Sequence, residues 1–345
     1  MIPLPSILIH EYVSGGGWPD PYLPKGLADE GLAMLQALLV DFRVWGGCKT
    51  ITTRDRRLAH ISLPADSIID LEPVQHYSTL SQLASHCTAA LVIAPESNGI
   101  LASLSALIES SGAILLGSCP ASISVAADKW KCHRLFIRAG LPTPDTWCVK
   151  PHEAEEMAEK IGFPLVIKPV DGVSCEGISL ITDSYSARSA LSKNTFWDNS
   201  SLGNPLLLQQ YIQGDHVSVS LLVTENDTLF LSLNKQAIEI GSRFSYKGGE
   251  VPFACDRHQE AVRQSKQAVA LVPGLKGYVG VDLLVTDHGC YLIEINPRIT
   301  TAYIGLRRVV NINMAEAIWD VATNEVLPKK ISLSGKAIFK KKKLI

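Results

Sequence analysis

The chain has 345 residues, of which 46% are hydrophobic and 19% are charged, and its formal net charge at pH 7 is −2. This length and apolar content predict two or three packed globular units. The near-neutral charge, with one basic run at 340–343, argues against nucleic acid as a partner. No apolar run reaches the roughly 18 residues of a membrane span. Eight cysteines without a C-x-x-C pair argue against a zinc site or a disulfide framework, and we expect a cytoplasmic protein with reduced thiols.

The first third of the chain alternates strand-like and helix-like segments. Apolar runs at 7–9, 89–94 and 113–116 are separated by helical patterns that include 26–39 and 99–110. This alternation is typical of βα units and predicts a parallel sheet. A helix at 128–139 follows and ends at Gly140 and two prolines, which indicates a domain boundary near 120–128.

The rest of the chain is richer in strands. Strand-like runs occur at 163–169, 178–181, 205–212, 217–224, 229–234 and 236–240, with helices at 152–160 and 257–271. A hairpin at 278–296 follows, with Asp287, His288 and Gly289 as its turn. These patterns predict a multidomain protein with both α/β and α+β parts.

The second strand of this hairpin carries polar residues in an otherwise apolar run. Strand periodicity places Leu292, Glu294 and Asn296 on one face and turns Ile293 and Ile295 to the other. An acid and an amide on one face of a short buried strand indicate a site.

The length of the turn decides what faces Glu294. A three-residue turn sets Asp282 opposite Glu294, with their Cβ atoms about 5 Å apart. Two opposed carboxylates repel each other unless a cation lies between them, and Mg²⁺ is the natural candidate. A two-residue turn is the alternative. It puts the two acids on opposite faces and leaves Glu294 in a structural ion pair with Arg298.

Two lysines are candidate ligands of an anion. Lys168 ends an apolar strand and precedes a loop bounded by Gly172 and Gly177, whose backbone N–H groups can fold over phosphates. The lysine precedes the glycines, unlike in a P-loop, and a hairpin turn beside a solvated lysine is the alternative. Lys129 lies in the first turn of its predicted helix, where the helix dipole does not favour a cation. Such a lysine would suit an anionic ligand instead. A solvated helix lysine is the alternative there.

Two further loops are candidate substrate sites. The glycine-rich loop at 11–17 follows the first strand, where open α/β sheets bind ligands, although a tight connection is equally consistent with the sequence. A polar loop with Arg243, Lys247, Gly248 and Gly249 could bind an anionic substrate or remain solvated.

Taken in chain order, these features resemble the ATP-grasp superfamily. The matching segments are Asp128-Lys129, 166–169 with its glycine loop, 209–216, Asp282 and 294–298, and the resemblance covers 120–325. It implies four divisions of the chain: a Rossmann-like N-terminal βα domain at 1–125, an ATP-grasp small lid lobe with the glycine loop at 126–207, a large lobe with the metal site at 208–330 and a basic tail at 331–345.

The resemblance also implies how ATP is held. Lys129 and Lys168 would contact the phosphates under the loop from Gly172 to Gly177, with Lys131 as the alternative to Lys129. The adenine and ribose would be lined by Gln209, Gln210, Tyr211, Ile212 and His216. Many members have an acid in place of Gln209, but its side-chain oxygen can still accept a hydrogen bond from the adenine amino group.

The implied metal ligands are Asp282, Glu294 and Asn296. They would hold Mg²⁺, usually as two ions and with Mn²⁺ as a substitute. Arg298 would contact the substrate carboxylate or the acyl phosphate, and Lys168 and Arg298 would be the catalytic residues.

The implied activity is that of an ATP-dependent carboxylate–amine ligase acting on small molecules. A carboxylate attacks the γ-phosphoryl group to give an acyl phosphate, and an amine then displaces phosphate behind a closed lid. The segments 10–17, 168–177 and 296–301 are most similar to tyramine–glutamate ligases of methanofuran biosynthesis and their relatives in methylotrophic bacteria. Glutamate would then be the acid, tyramine or tyrosine the amine, and a homodimer is compatible. Other amino-acid or dipeptide ligases of the D-alanine ligase type and non-catalytic ATP-binding regulators are the alternatives.

Overall fold

A five-stranded sheet forms the first unit of the protein. The computed structural model describes residues 4–172, 175, 177–193 and 204–340. The strands run in the order β3-β2-β1-β4-β5 and are all parallel, which confirms the expected parallel sheet. They are β1 (Ser6–Glu11), β2 (Lys49–Asp55), β3 (Ser67–Leu71), β4 (Ala89–Ile93) and β5 (Ile114–Leu115).

Helices cover both faces of this sheet. They are α1 (Lys25–Trp45), α2 (His76–Ser85), α3 (Ile100–Ser110) and α4 (Pro120–Ala126). Because successive strand residues face opposite ways, Ile7 and Ile9 pack in one core with Phe42 of α1, while Leu8 packs in another with Leu80 and Leu104. Residues just beyond the carboxyl ends of β1 and β4 line a cleft, among them Val13 and Ala94.

A second, small sheet is antiparallel. It has the order β6-β9-β7-β8, with β6 (Thr146–Val149), β7 (Leu165–Pro169), β8 (Ser179–Ile181) and β9 (Leu206–Gln210). Helices α6 (Ala154–Ile161) and α7 (Ser184–Lys193) accompany it, and α5 (Lys129–Arg138) precedes it. The expected lobe boundary between residues 207 and 208 falls inside β9, which pairs along its length with β7.

The third sheet has six strands in the order β14-β13-β10-β11-β12-β15. They are β10 (Asp215–Val223), β11 (Thr228–Ile240), β12 (Phe244–Val251), β13 (Gly277–Thr286), β14 (Gly289–Asn296) and β15 (Ala337–Lys340). The helices of this part are α8 (His258–Ala270), α9 (Ala302–Val309) and α10 (Met314–Asn324). Both α5 and α8 pack against β14, so the helix that carries Lys129 lies beside the strand that carries Glu294.

Two expectations about this sheet were wrong. The two strands expected at 229–234 and 236–240 are the single strand β11, which has a bulge between Ala237 and Ile238. The expected polar loop around Lys247 is part of β12, where Lys247 pairs with Glu239. Of the expected basic tail, β15 pairs with β12, and 341–345 lie outside the described residues.

The glycines in β12 allow this close pairing rather than a ligand loop. A Cβ on Gly248 would lie 2.1 Å from the carbonyl oxygen of Phe339 on β15, and its φ of +135° is one that few other residues adopt. Among the helices that the structure describes, none is long and apolar enough to cross a membrane.

Two buried histidines join β1 to α2. His10 Nδ1 lies 2.7 Å from Thr53 Oγ1, and His76 Nε2 lies 3.0 Å from His10 Nε2. Burial lowers the pKa of both rings, to about 4 for His76. Both rings are therefore neutral in the folded protein near neutral pH.

We predict that this pair makes folding sensitive to acid. Below about pH 6.5 the unfolded chain protonates these rings and the folded chain does not, so the free energy of unfolding falls as the pH drops towards 4. Each ring contributes at most about 1.4 kcal/mol per pH unit, and nothing changes above pH 6.5. The free energy of unfolding, measured with urea at several pH values between 5 and 7.5, should change less steeply with pH in His76→Phe than in the native protein. The exposed His60→Phe is the control. Equal slopes in all three proteins would contradict the prediction.

Candidate active site

The hairpin of β13 and β14 brings two carboxylates face to face. Asp282 is paired with Glu294, as the three-residue turn predicted, but the turn has two residues, because Thr286 pairs with Gly289. A bulge restores the register: Leu283 pairs with Leu292 and Asp282 with Glu294, so Ile293 is the extra residue. The position of the acids was predicted correctly from the wrong turn length.

The bulge also changes which residues share a face. Leu292 and Ile295 pack in the same buried core, whereas Ile293, Glu294 and Asn296 line the cleft. The expectation that Leu292 points the same way as Glu294 was therefore wrong. Strict alternation fails where one strand carries an extra residue.

Burial and mutual repulsion set the charge of the two acids. Burial, followed by the charge of Glu294, raises the pKa of Asp282 to about 8, although Gln236 Nε2 donates to Asp282 Oδ1 at 3.2 Å. Burial also acts to raise the pKa of Glu294, but the charges of Lys129 and Lys168 outweigh it and lower that pKa. Lys129 Nζ lies 3.1 Å from Glu294 Oε2.

These donors suit Mg²⁺ bound together with a phosphate ligand. Among the described residues no group of three or more His, Cys, Asp or Glu side chains could hold a metal ion. Asp282, Glu294 and the Asn296 amide offer two carboxylates and one neutral oxygen at the cleft wall. Mg²⁺ is commonly bound by one or two carboxylates and completed by substrate phosphates and water, and the raised pKa of Asp282 indicates a place where a cation is favoured.

Lys129 is held in the cleft by its helix and its partners. The Asp128 side chain caps α5 by accepting from Lys131 N at 2.9 Å, which fixes where the helix begins. Lys129 Nζ also donates to Gly172 O at 2.9 Å, so it joins the base of the glycine loop to Glu294. Lys131, the alternative candidate, is exposed and pairs with Asp128.

Lys168 is buried beside Gln209. Lys168 Nζ donates to Gln209 Oε1 at 2.8 Å, and Gln209 Nε2 donates to Thr146 Oγ1 at 2.8 Å. Burial lowers the pKa of Lys168 to about 8, so a nearby phosphate would favour its charged form. The Gln209 oxygen considered for adenine therefore already accepts one hydrogen bond.

The remaining candidates lie in the same cleft with one exception. Gly172, Gln210, Tyr211, Ile212 and His216 line it. Gly177 has a φ of +73° and is not among the described residues that line the cleft. Residues 173, 174 and 176, near the middle of the glycine loop, lie outside the described residues.

Arg298 has a different partner from the one that the two-residue turn predicted. Its Nη2 donates to Glu96 Oε2 at 2.9 Å, and its Nε lies 2.8 Å from Glu96 Oε1 in the same ion pair. Glu96 comes three residues after the end of β4, at the edge of a parallel sheet where ligand-binding residues are found. That position was a signal for Glu96 that the sequence analysis missed. Gln236 and Thr146 were also missed, and nothing in their local sequence marks them.

Comparisons with known proteins identify the family of the chain. A family model described as an ATP-grasp domain matches residues 126–302, and one described as a pre ATP-grasp 3 domain matches residues 48–123. The chain is 31% identical over 328 residues to the tyramine–L-glutamate ligase of Methanocaldococcus jannaschii, which covers 94% of this chain and 92% of that protein.

Solved structures show the same fold. An ATP-grasp superfamily protein from Archaeoglobus fulgidus superposes with a TM-score of 0.67 at 25% identity, covering 91% of this chain and 87% of that one. Biotin carboxylase from Campylobacter jejuni, crystallised with an ATP analogue, gives a TM-score of 0.77 at 17% identity and covers 97% of this chain and 75% of that one. The second similarity supports the fold alone.

We predict that the Arg298–Glu96 pair stabilises the contact between the first and third sheets. Glu96→Gln leaves a buried guanidinium without the negative charge of its partner and should lower the free energy of unfolding by about 3–5 kcal/mol. The double variant Glu96→Gln/Arg298→Met should cost less than the sum of its single changes, as measured by urea unfolding. Glu72→Gln breaks the exposed Arg56 pair and should cost under about 1 kcal/mol. If the losses in the free energy of unfolding from Glu96→Gln and Arg298→Met were additive, they would contradict the prediction.

Proposed function

Because this chain belongs to the ATP-grasp family and is an ATP-dependent carbon–nitrogen ligase, we propose that it joins the γ-carboxylate of glutamate to the amine of tyramine. The observation that carries the proposal is the convergence of Asp282, Glu294, Lys129 and Lys168 at one cleft. The named activity of the Methanocaldococcus jannaschii relative supports the substrate pair. The product of such a reaction would serve methanofuran biosynthesis, and we place the enzyme in the cytoplasm.

The two lysines would bind the phosphates of ATP. Lys129 stands between Glu294 and the base of the glycine loop, and Lys168 stands at the end of β7 beside Gln209. Both are buried cations, so phosphate oxygens would replace lost solvation. The strand end from Gln209 to Ile212, with His216, would line the adenine and ribose.

Asp282, Glu294 and Asn296 would hold Mg²⁺, which ATP-grasp enzymes use with ATP. When bound there, the ion neutralises charge on the phosphates. We also propose that two Mg²⁺ ions bind, that Mn²⁺ can replace them, and that the enzyme is a homodimer.

The residues of this chain would then position two steps. In the first, an oxygen of the glutamate γ-carboxylate attacks the γ-phosphorus, and the bond to ADP breaks. In the second, the unprotonated amine nitrogen attacks the acyl carbon, the bond to phosphate breaks with its electron pair, and the proton that the nitrogen loses passes to the departing phosphate. Arg298 lies at the end of β14, where it would steady the carboxylate and then the acyl phosphate. A closed glycine loop would exclude water that hydrolyses the acyl phosphate.

The substrate pair is tested by ADP release. With ATP and Mg²⁺, we expect ADP only when an acid is present and a γ-glutamyltyramine product, identified by mass, when glutamate and tyramine are both supplied. The same product is not expected with D-alanine alone. ATP binding without ADP release for any acid and amine would contradict the ligase proposal and favour a regulatory ATP-binding protein.

The metal ligands are tested by removing one charge at a time. Asp282→Asn and Glu294→Gln should each lower kcat/KM by at least about 100-fold, because each removes a negative ligand of the ion. Asp287→Asn, in the exposed turn of the same hairpin, is the matched control and should leave turnover unchanged. Near-native turnover in both ligand variants would refute the assignment.

A further inference from the structure

The cleft continues beyond the proposed ATP site to the junction of the first and third sheets. We call this part the annex and define it by Leu27, Glu30 and Met34 of α1, Tyr246 of β12 and Phe339 of β15, all of which line the cleft. Nothing in the proposed ATP chemistry uses these residues.

The annex is next to the reacting groups. Burial raises the pKa of the Tyr246 hydroxyl, and the charges of Glu30 and Asp282 raise it further. That hydroxyl accepts from Thr301 Oγ1 at 2.8 Å, which fixes the ring. The charge of Glu30 also raises the pKa of Arg298, although less than the charges of Glu96 and Glu294 do. Glu30 therefore lies within electrostatic reach of the groups that would hold the acyl phosphate.

The charge of this region favours a cation. Three acids here are buried or nearly buried, namely Glu11, Glu30 and Glu96, and all three interact electrostatically with Arg298. Glu96 also interacts with Lys129. The α1 backbone comes close to this cluster, because a Cβ on Gly31 would lie 2.3 Å from the Glu11 carboxylate carbon. A ligand with a positive charge is favoured here, and a ligand carboxylate is disfavoured.

The far wall of the annex is apolar. Leu27, Met34 and Phe339 present hydrocarbon and an aromatic ring to the cleft from two different elements. An apolar wall beside a buried acid suits an amphipathic primary amine, with its ammonium towards the acid and its body along the wall.

We propose that the annex binds the amine substrate, with the ammonium on the Glu30 carboxylate and the apolar body against Leu27, Met34 and Phe339. This inference rests on the proposed function and deepens it. It predicts that the enzyme selects amines that lack an α-carboxylate: tyramine is accepted, and tyrosine is rejected because its carboxylate would enter a region already rich in buried acids.

The test separates the amine step from the acid step. Hydroxylamine traps an acyl phosphate as a hydroxamate without any larger amine, so glutamyl hydroxamate formation reports ATP and glutamate alone. In Glu30→Gln we expect the KM for tyramine to rise at least about tenfold, as for a lost hydrogen bond to a charged group. Hydroxamate formation should fall much less than tyramine ligation does, and the hydroxamate that the variant forms also shows that it is folded. Glu109→Gln, an exposed acid on α3, is the control for both assays.

Selectivity provides a second readout. We expect the native kcat/KM for tyramine to exceed that for tyrosine by about 100-fold, and tyrosine methyl ester, which lacks the carboxylate charge, to recover much of the difference. Glu30→Gln should reduce the difference in kcat/KM between tyramine and tyrosine. Calorimetric titration with tyramine should show binding to the native enzyme and weaker binding to Glu30→Gln, independently of turnover.

Three results would overturn the inference. They are an unchanged KM and affinity for tyramine in Glu30→Gln, equal use of tyrosine and tyramine by the native enzyme, and a raised KM for glutamate in the hydroxamate assay, which would place the acid substrate on Glu30. Failure of the proposed function has a different signature. The native enzyme would then form no glutamyl hydroxamate, while the calorimetric comparison would still decide whether the annex binds the amine.

Discussion

The site depends on one unfavourable interaction, the repulsion between Asp282 and Glu294 across the β13–β14 hairpin. In a poorly solvated sheet two such carboxylates are stable only with positive charge nearby. The protein supplies that charge from elsewhere in the chain, with Lys129 at 3.1 Å from Glu294. Burial of Asp282 beside Glu294 still raises its pKa to about 8, so the cluster remains receptive to a further cation. The packing of α5 against β14 puts this lysine beside Glu294.

A second set of contacts ties the first unit to the ATP-grasp part. Arg298 reaches Glu96 across the junction, and the backbone N–H of Asn98 donates to Asp171 Oδ2 at 2.8 Å, next to the glycine loop. Each contact joins a residue beyond β4 to a residue beside the proposed ATP site. The carboxyl edge of the parallel sheet is therefore one wall of the cleft, and substrates would bind between the units.

Sequence reasoning succeeded where a local pattern reports directly on structure. Alternating apolar runs predicted the parallel sheet, and helical spacing predicted a helix at 128–139 that matches α5 to within one residue at each end. It failed where two local choices compensate. The turn after Thr286 is one residue shorter than predicted and the bulge at Ile293 adds one residue, so Asp282 still faces Glu294 while Leu292 turns into the core. Neither error could be detected from spacing, because a strand pattern does not reveal where an extra residue is tolerated.

The amino-acid sequence alone reveals the chemical groups of the site: the lysines, the paired acids with their amide, and the order in which they occur. Their types and order are local properties of the chain and need no coordinates. The partners of these groups are set by tertiary packing, among them Glu96 for Arg298, Gln209 for Lys168, and the residues of α1 that help to form the annex. Gln209 is 41 positions from Lys168, and Glu96 is 202 positions from Arg298. Such contacts are fixed by how sheets and helices pack rather than by any periodicity along the chain.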